Sequence, residues 1–157
     1  MTDLRIDSHK LMFHPQRVAD WCSGKNIYPI YVEVAPSGSC NHRCIFCALD
    51  YLGYQPNRLD QEVFLRNLED MAQKGVKSIM FAGEGEPLLN PHTPEFATRA
   101  KEQGIDVSIT TNGVLFKDEV MTAMLPVLSW VRFSLNAGNS VSYDKIHRGR
   151  IGDFEVV

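Results

Sequence analysis

The chain has no run of apolar residues that approaches the roughly 20 needed to cross a bilayer as a helix. Its N-terminus, MTDLRIDSHK, carries no apolar signal-peptide segment, so the expected address is the cytoplasm and no membrane is expected as a partner. Positive charge is short as well. Sixteen Lys and Arg against nineteen Asp and Glu leave a formal charge of −3, which excludes the broad basic field that holds nucleic acid through its phosphates. Internal repeats, low-complexity stretches and flexible linkers are missing, so nothing separates two independently folding domains. Cysteine is scarce: there are four, and three of them, Cys40, Cys44 and Cys47, fall within one short segment. Clustered thiols without a secretion signal argue against a disulfide framework and for metal ligation or redox chemistry.

What is present is enough for one core, with 44% hydrophobic residues in 157. Residues 1–28 read as an N-terminal extension with a short helix, opened by Pro15, carrying Val18, Trp21 and Cys22 at helical spacing as packing positions, and ended by Gly24. Residues 29–157 read as the main body. From Ile30 the period changes to two, predicting a strand over Pro29 to Ala35 that Pro36 and Gly38 stop. Further strands are predicted over Val76 to Ala82, Ile105 to Thr110 and Trp130 to Leu135. Helices are predicted between them, from about Asp60 to Lys74, from Pro94 to Gly104 and from Lys117 to Leu125. The final GDFEVV reads as a helix start capped by Asp153.

Strand, loop and helix recur four times without a hairpin signal, so the fold class is α/β, with consecutive βα units building a parallel sheet. In such folds functional loops lie beyond the carboxyl ends of the strands. Those positions hold the cysteine loop, GEGEP (83–87), TTNG (110–113) and the stretch after Leu135. A full (β/α)8 barrel takes roughly 200 residues or more, so the chain is expected to be the N-terminal part of a partial TIM-type barrel, a piece of something longer.

The segment CNHRCIFC spaces its thiols as C-x3-C-x2-C, which lets three sulfurs converge and leaves a fourth direction open. Ordinary iron–sulfur clusters take four thiolates. A site one ligand short keeps a coordination position for a substrate or cofactor, as catalytic zinc sites do. Zinc is the competing occupant here; it wants a fourth ligand, and His42, held inside the loop beside two cysteines, would strain to join them. Cys22 reads as a small buried hydrophobe. Thr111 and Asn112 read first as an ordinary turn, and His147, Arg148 and Arg150 as a basic, solvated face. Tyr51 and Tyr54 read as aromatics that pack beside the cysteines, cover them or line a cavity.

From about Ile30 to Arg150 the sequence resembles the radical S-adenosylmethionine (radical SAM) enzymes. The signature CxxxCx(aromatic)C is matched by Cys40, Cys44, Phe46 and Cys47, and a GGEP-like motif by Glu84, Gly85, Glu86 and Pro87; Glu84 departs from the commonest form, which has glycine there. TTNG and FSLNA fall where family members often have similar strings. The resemblance implies a [4Fe-4S] cluster held by Cys40, Cys44 and Cys47, its fourth iron chelated by the amino and carboxylate groups of S-adenosylmethionine. One electron from the cluster would cleave the sulfonium to methionine and a 5′-deoxyadenosyl radical that abstracts hydrogen from a substrate. Carried over residue by residue, Gly85 and Glu86 face the methionine amino group, Phe46 lies near the adenine, Ser134 and Asn136 reach the ribose or carboxylate, and Arg148 or Arg150 pairs with the carboxylate. No side chain is assigned to catalysis itself. The implied partners are a one-electron donor such as flavodoxin or ferredoxin and a substrate, with a peptide or small molecule favoured. The alternatives are a non-catalytic iron–sulfur or zinc module, or an inactive fragment of a longer family member.

Replacing Cys40, Cys44 or Cys47 by Ala is expected to abolish iron binding after anaerobic reconstitution, while Cys22→Ala retains it. Iron analysis of the four variants checks the ligand set.

Overall fold

The computed structural model describes residues 10–157; the first nine residues of the expected extension lie outside the described residues. Helix α1 (Pro15–Cys22) precedes strand β1 (Tyr31–Val34). Helices α2 (Ala48–Leu52) and α3 (Gln61–Gln73) lead to β2 (Ser78–Phe81), α4 (Thr93–Glu102) to β3 (Asp106–Thr111), and α5 (Asp118–Met124) to β4 (Leu128–Phe133). Helices α6 (Ser140–His147) and α7 (Asp153–Val156) follow. The strands lie in chain order in one sheet, every neighbouring pair parallel. Parallel neighbours need long crossovers, and the intervening helices supply them. Among the described residues no helix is long and apolar enough to cross a membrane.

Local chemistry accounts for the elements. The Asp60 carboxylate accepts the Val63 N–H at 2.9 Å and so caps α3, whose buried Phe64 and Leu68 stand one turn apart. Strand β2 is buried along its whole length, as the apolar run of an inner strand of an α/β sheet should be. Alternate residues Val34, Ile79, Phe81, Val107 and Ile109 share one face of the sheet and pack with Phe64 and Leu68 of α3, Phe96, Ala97 and Ala100 of α4, and Met124 of α5. The rings of Phe64 and Phe96 meet at 4.6 Å between centroids. The opposite face is more polar. Its register sets Glu33 beside Met80, Ser108 and Trp130, and Thr110 beside Arg132.

Several sequence expectations are corrected. Strand β4 begins at Leu128 and ends at Phe133, two residues earlier than expected; Val107 pairs with Leu128 and Ser108 with Trp130, so Ser129 is an extra, bulged residue of β4. Ser134 and Asn136 therefore lie past the strand. Helices α2 and α6 were not expected; the Asn139 side chain caps α6 by accepting the Ser142 N–H at 2.9 Å. Asp153 is not a cap. Gly152 holds that position, and Asp153 is the first helical residue, with its side chain buried elsewhere. Helix α1 contains no buried residue, so Trp21 and Cys22 are exposed rather than packed. Its attachment is polar: the Arg17 guanidinium donates to the carbonyls of Tyr28 and Gly75.

Phe96→Ala is expected to cost about 3–5 kcal/mol of stability, the usual loss for a fully buried Phe, whereas Phe46→Ala on the exposed rim should cost far less. Urea denaturation of the two variants measures the difference.

Candidate cluster and cofactor site

The loops that leave the carboxyl ends of the strands meet on one rim. The cysteine loop follows β1, GEGEP follows β2, and Asn112 and Gly113 follow β3. The first two loops are joined through backbone, since the Glu86 N–H donates to the Ser39 carbonyl at 2.8 Å. That approach requires glycine at position 85, where a Cβ would run into the Ser39 carbonyl and stand 2.5 Å from the Ser37 oxygen. The turn is pinned from its far side. Thr93 Oγ1 donates to the Pro87 carbonyl at 2.6 Å, and Asn90 Nδ2 donates to the carbonyls of Pro36 and Leu59 at 3.0 and 3.1 Å.

Glu86 is 2% exposed. Its carboxylate accepts from Thr111 Oγ1 at 2.6 Å, from the Asn112 N–H at 2.9 Å and from the Leu88 N–H at 3.2 Å. Burial pushes its pKa above the usual carboxylate value, and the three donors pull against that rise. In the structure both oxygens are engaged by protein donors, so Glu86 fastens the β3 loop to the β2 loop. Thr111 and Asn112, read from sequence as a plain turn, are buried parts of this arrangement.

Each clustered cysteine is partly exposed and each sulfur has a neighbour able to hydrogen-bond. Cys40 Sγ accepts from the His42 N–H at 3.4 Å and from Asn112 Nδ2 at 3.9 Å. Cys47 Sγ accepts from the Tyr54 hydroxyl at 3.6 Å, while the Arg43 guanidinium lies 4.1 Å from the centre of the Tyr54 ring. Cys44 Sγ lies 3.3 Å from His147 Nδ1. Burial pushes the Cys40 thiol upward and the Cys44 thiol to about 11, with Cys40 and Cys47 adding to the rise at Cys44. The neighbouring sulfurs discourage ionisation of Cys44, and a cationic cluster offsets that repulsion. The donor set thus fits an iron–sulfur cluster with three protein thiolates and surrounding hydrogen bonds.

The cysteine loop is also tied to the end of α6. The Arg43 N–H donates to the His147 carbonyl and the Ile45 N–H to the Ile146 carbonyl, both at 2.9 Å. His147 is fully buried, stacked on Tyr143 at 4.1 Å, with Nε2 donating to the Leu135 carbonyl at 2.8 Å. Burial lowers its pKa. His42 is 1% exposed, and its Nε2 stands 3.0 Å from Asp153 Oδ2. Sequence reasoning missed the roles of His42, His147 and Asp153; residue type was the only signal, because the pairs are 103 and 111 positions apart.

The remaining residues carried over from the resemblance are more loosely placed. Phe46 is 62% exposed and meets His147 edge-on at 6.1 Å. Ser134 is partly exposed, and its N–H donates to the Thr111 carbonyl at 2.9 Å. Asn136 and Arg148 are exposed at the surface, both with left-handed backbone. Arg150 is exposed too, its backbone N–H donating to Asp153 at 2.9 Å.

The family model described as the Radical SAM superfamily matches residues 34–157. A GTP 3′,8-cyclase from Chlorobaculum tepidum is 37% identical over 120 residues, covering 75% of this chain and 36% of that protein. An S-adenosylmethionine-dependent nucleotide dehydratase from a Thermoplasmatales archaeon is 31% identical over 118 residues, covering 75% of this chain and 42% of that one. Among solved structures, Streptococcus suis SuiB bound to its precursor peptide SuiA superposes with a TM-score of 0.72 at 22% identity, covering 98% of this chain and 35% of SuiB. SuiB bound to S-adenosylmethionine gives 0.71 at 24% identity, covering 91% and 34%. The chain belongs to the radical SAM superfamily, whose members use a [4Fe-4S] cluster and S-adenosylmethionine. Its four βα units form part of the TIM-barrel-like fold of these neighbours. The chain spans roughly a third of the length of the first relatives it matches.

Glu86→Ala leaves three buried donors unpaired and is expected to destabilise the cluster-free protein by at least about 1–3 kcal/mol; Glu86→Gln, which keeps an acceptor oxygen, should lose less. Gly85→Ala should destabilise as well by driving the two loops apart. Chemical denaturation of the three variants checks the order.

Proposed function

We propose that this chain is the cluster- and cofactor-binding portion of an enzyme that cleaves S-adenosylmethionine reductively and uses the resulting radical to abstract hydrogen from a substrate. The observation that carries the reading is the placing of the Cys40, Cys44 and Cys47 loop after β1, bonded through the Ser39 carbonyl to the GEGEP turn after β2 on one rim of a parallel sheet, every sulfur with a polar neighbour. When bound, the cluster and S-adenosylmethionine supply the electron transfer and the radical, which are the cofactors' own chemistry. The protein's part is placement. Cys40, Cys44 and Cys47 hold three irons, leaving one for the cofactor. The GEGEP turn offers backbone groups for the methionine end, and Phe46 offers an exposed ring for the adenine. Ser134, Asn136 and Arg148 stand on the segments after β4 as groups for the ribose and carboxylate.

The electron donor in this reading is a small one-electron carrier such as flavodoxin or ferredoxin. The substrate is a small molecule or a peptide; the nucleotide-acting names of relatives at 31–37% identity support the small molecule. The formal charge of −3 suits neither a long RNA nor a DNA partner.

Electron paramagnetic resonance of the anaerobically reconstituted, reduced protein, with and without S-adenosylmethionine, tests the reading. A [4Fe-4S]+ signal whose shape changes on adding the cofactor is expected. A cluster signal indifferent to it, or no cluster at all, would overturn the assignment.

A further inference from the structure

One ring nitrogen of His42, one of His147 and the sulfur of Cys44 lie within 4.8 Å of one another, two of the three residues being buried. Each histidine already has its other nitrogen oriented. His147 Nε2 is held by the Leu135 carbonyl at 2.8 Å, which turns Nδ1 toward Cys44 Sγ at 3.3 Å. His42 Nε2 is held by Asp153 Oδ2 at 3.0 Å, and Asp153 is itself fixed by the Arg150 N–H at 2.9 Å. That leaves His42 Nδ1, which is buried and has no hydrogen-bond partner. An unpaired polar nitrogen in an interior is costly and calls for an explanation.

Metal-binding histidines almost always donate their second ring N–H to a carboxylate or a backbone carbonyl. Here both do, one to each kind. A tetrahedral zinc site with bonds near 2.3 Å to sulfur and 2.0–2.1 Å to nitrogen sets its ligand atoms about 3.3–3.6 Å apart. The Cys44–His147 separation of 3.3 Å is close to that value, and a ring nitrogen of His42 lies within 4.8 Å of both. Glycine at 149 permits the arrangement, because a Cβ there would stand 2.5 Å from both His42 Nε2 and Asp153 Oδ2.

We propose that the cluster-free protein binds one divalent transition metal of the zinc class through His42 Nδ1, His147 Nδ1 and Cys44 Sγ, with Asp153 and the Leu135 carbonyl orienting the two rings and water completing the shell. On binding, the Cys44 thiol gives up its proton to solvent and the metal takes the thiolate and two neutral imidazoles. The site is distinct from the three-cysteine set, sharing only Cys44. Resting on the reading of Cys44 as a cluster ligand, the sharing makes the two occupants mutually exclusive: one equivalent of zinc blocks assembly of the cluster.

The test is anaerobic titration of cluster-free protein with Co2+ as the spectroscopic probe and with Zn2+ in competition. The Cys40→Ala/Cys47→Ala double variant, which dismantles the three-thiol set, is expected to keep one metal per chain, tetrahedral d–d bands and one thiolate-to-cobalt charge-transfer band. His42→Gln and His147→Gln should each weaken binding at least tenfold, and Cys44→Ser should lose the charge-transfer band. Circular dichroism of each variant separates a lost site from a lost fold; should a histidine variant unfold, the band count of the folded double variant decides the matter alone. Loss of binding in the folded double variant, or two or more thiolate bands in the wild type that survive both histidine changes, overturns the proposal. Reconstitution of iron without zinc reads the cluster assignment separately, so either idea can fail while the other stands.

Discussion

The rim of this protein depends on one buried carboxylate. Glu86 sits at the end of the β2 loop, where its backbone N–H reaches the Ser39 carbonyl of the cysteine loop and its side chain takes donors from Thr111 and Asn112 beyond β3. Three strands that could diverge at their ends are thereby bound at one residue. Placing a carboxylate there costs desolvation, and the protein offsets it with three hydrogen bonds in a site of low dielectric, where satisfied bonds are strong and unsatisfied ones are expensive. Gly85 is the steric condition for the same junction. The motif thus has a structural reason to exist in addition to any contact with a cofactor.

A second set of interactions closes the rim from the other side. Backbone bonds from Arg43 and Ile45 attach the cysteine loop to the end of α6, and His42 reaches Asp153 at the start of α7. The histidines and Tyr143 form a stacked and edge-on group beneath Cys44. The cysteine loop is consequently held by two systems, one carboxylate-centred and one imidazole-centred, meeting its sulfurs from different directions. Hydrogen bonds to cluster sulfurs are among the means by which proteins set a cluster's potential. Asn112 and Tyr54 are the side chains in position to do so.

Much of the architecture was legible in the sequence because its period was. The shift to alternation at Ile30, the mostly apolar run over Val76 to Ala82 and the cap at Asp60 each express a local rule, and the strands and helices they predict are present. Helices α2 and α6 escaped for the same reason: α2 is five residues long, and α6 buries only Tyr143 and His147, leaving no apolar stripe to read. The start of β4 was misplaced because its first residues join β3 across a bulge at Ser129, which interrupts the alternation that marks a strand. Trp21 and Cys22 misled because helical spacing shows that a face exists, not that anything covers it.

The sequence by itself determined the parallel α/β order, the three-thiol loop and its neighbouring acidic turn, because these follow from periodicity and from spacings of a few residues. Only the tertiary structure decided that Glu86 binds Thr111 and Asn112, and that His42 and His147 come to Cys44 and Asp153. Those pairings join residues 25 to 111 positions apart. No local pattern encodes them; they follow from how the crossovers bring successive loops to the same edge of the sheet, where the burial of each polar group then demands a partner.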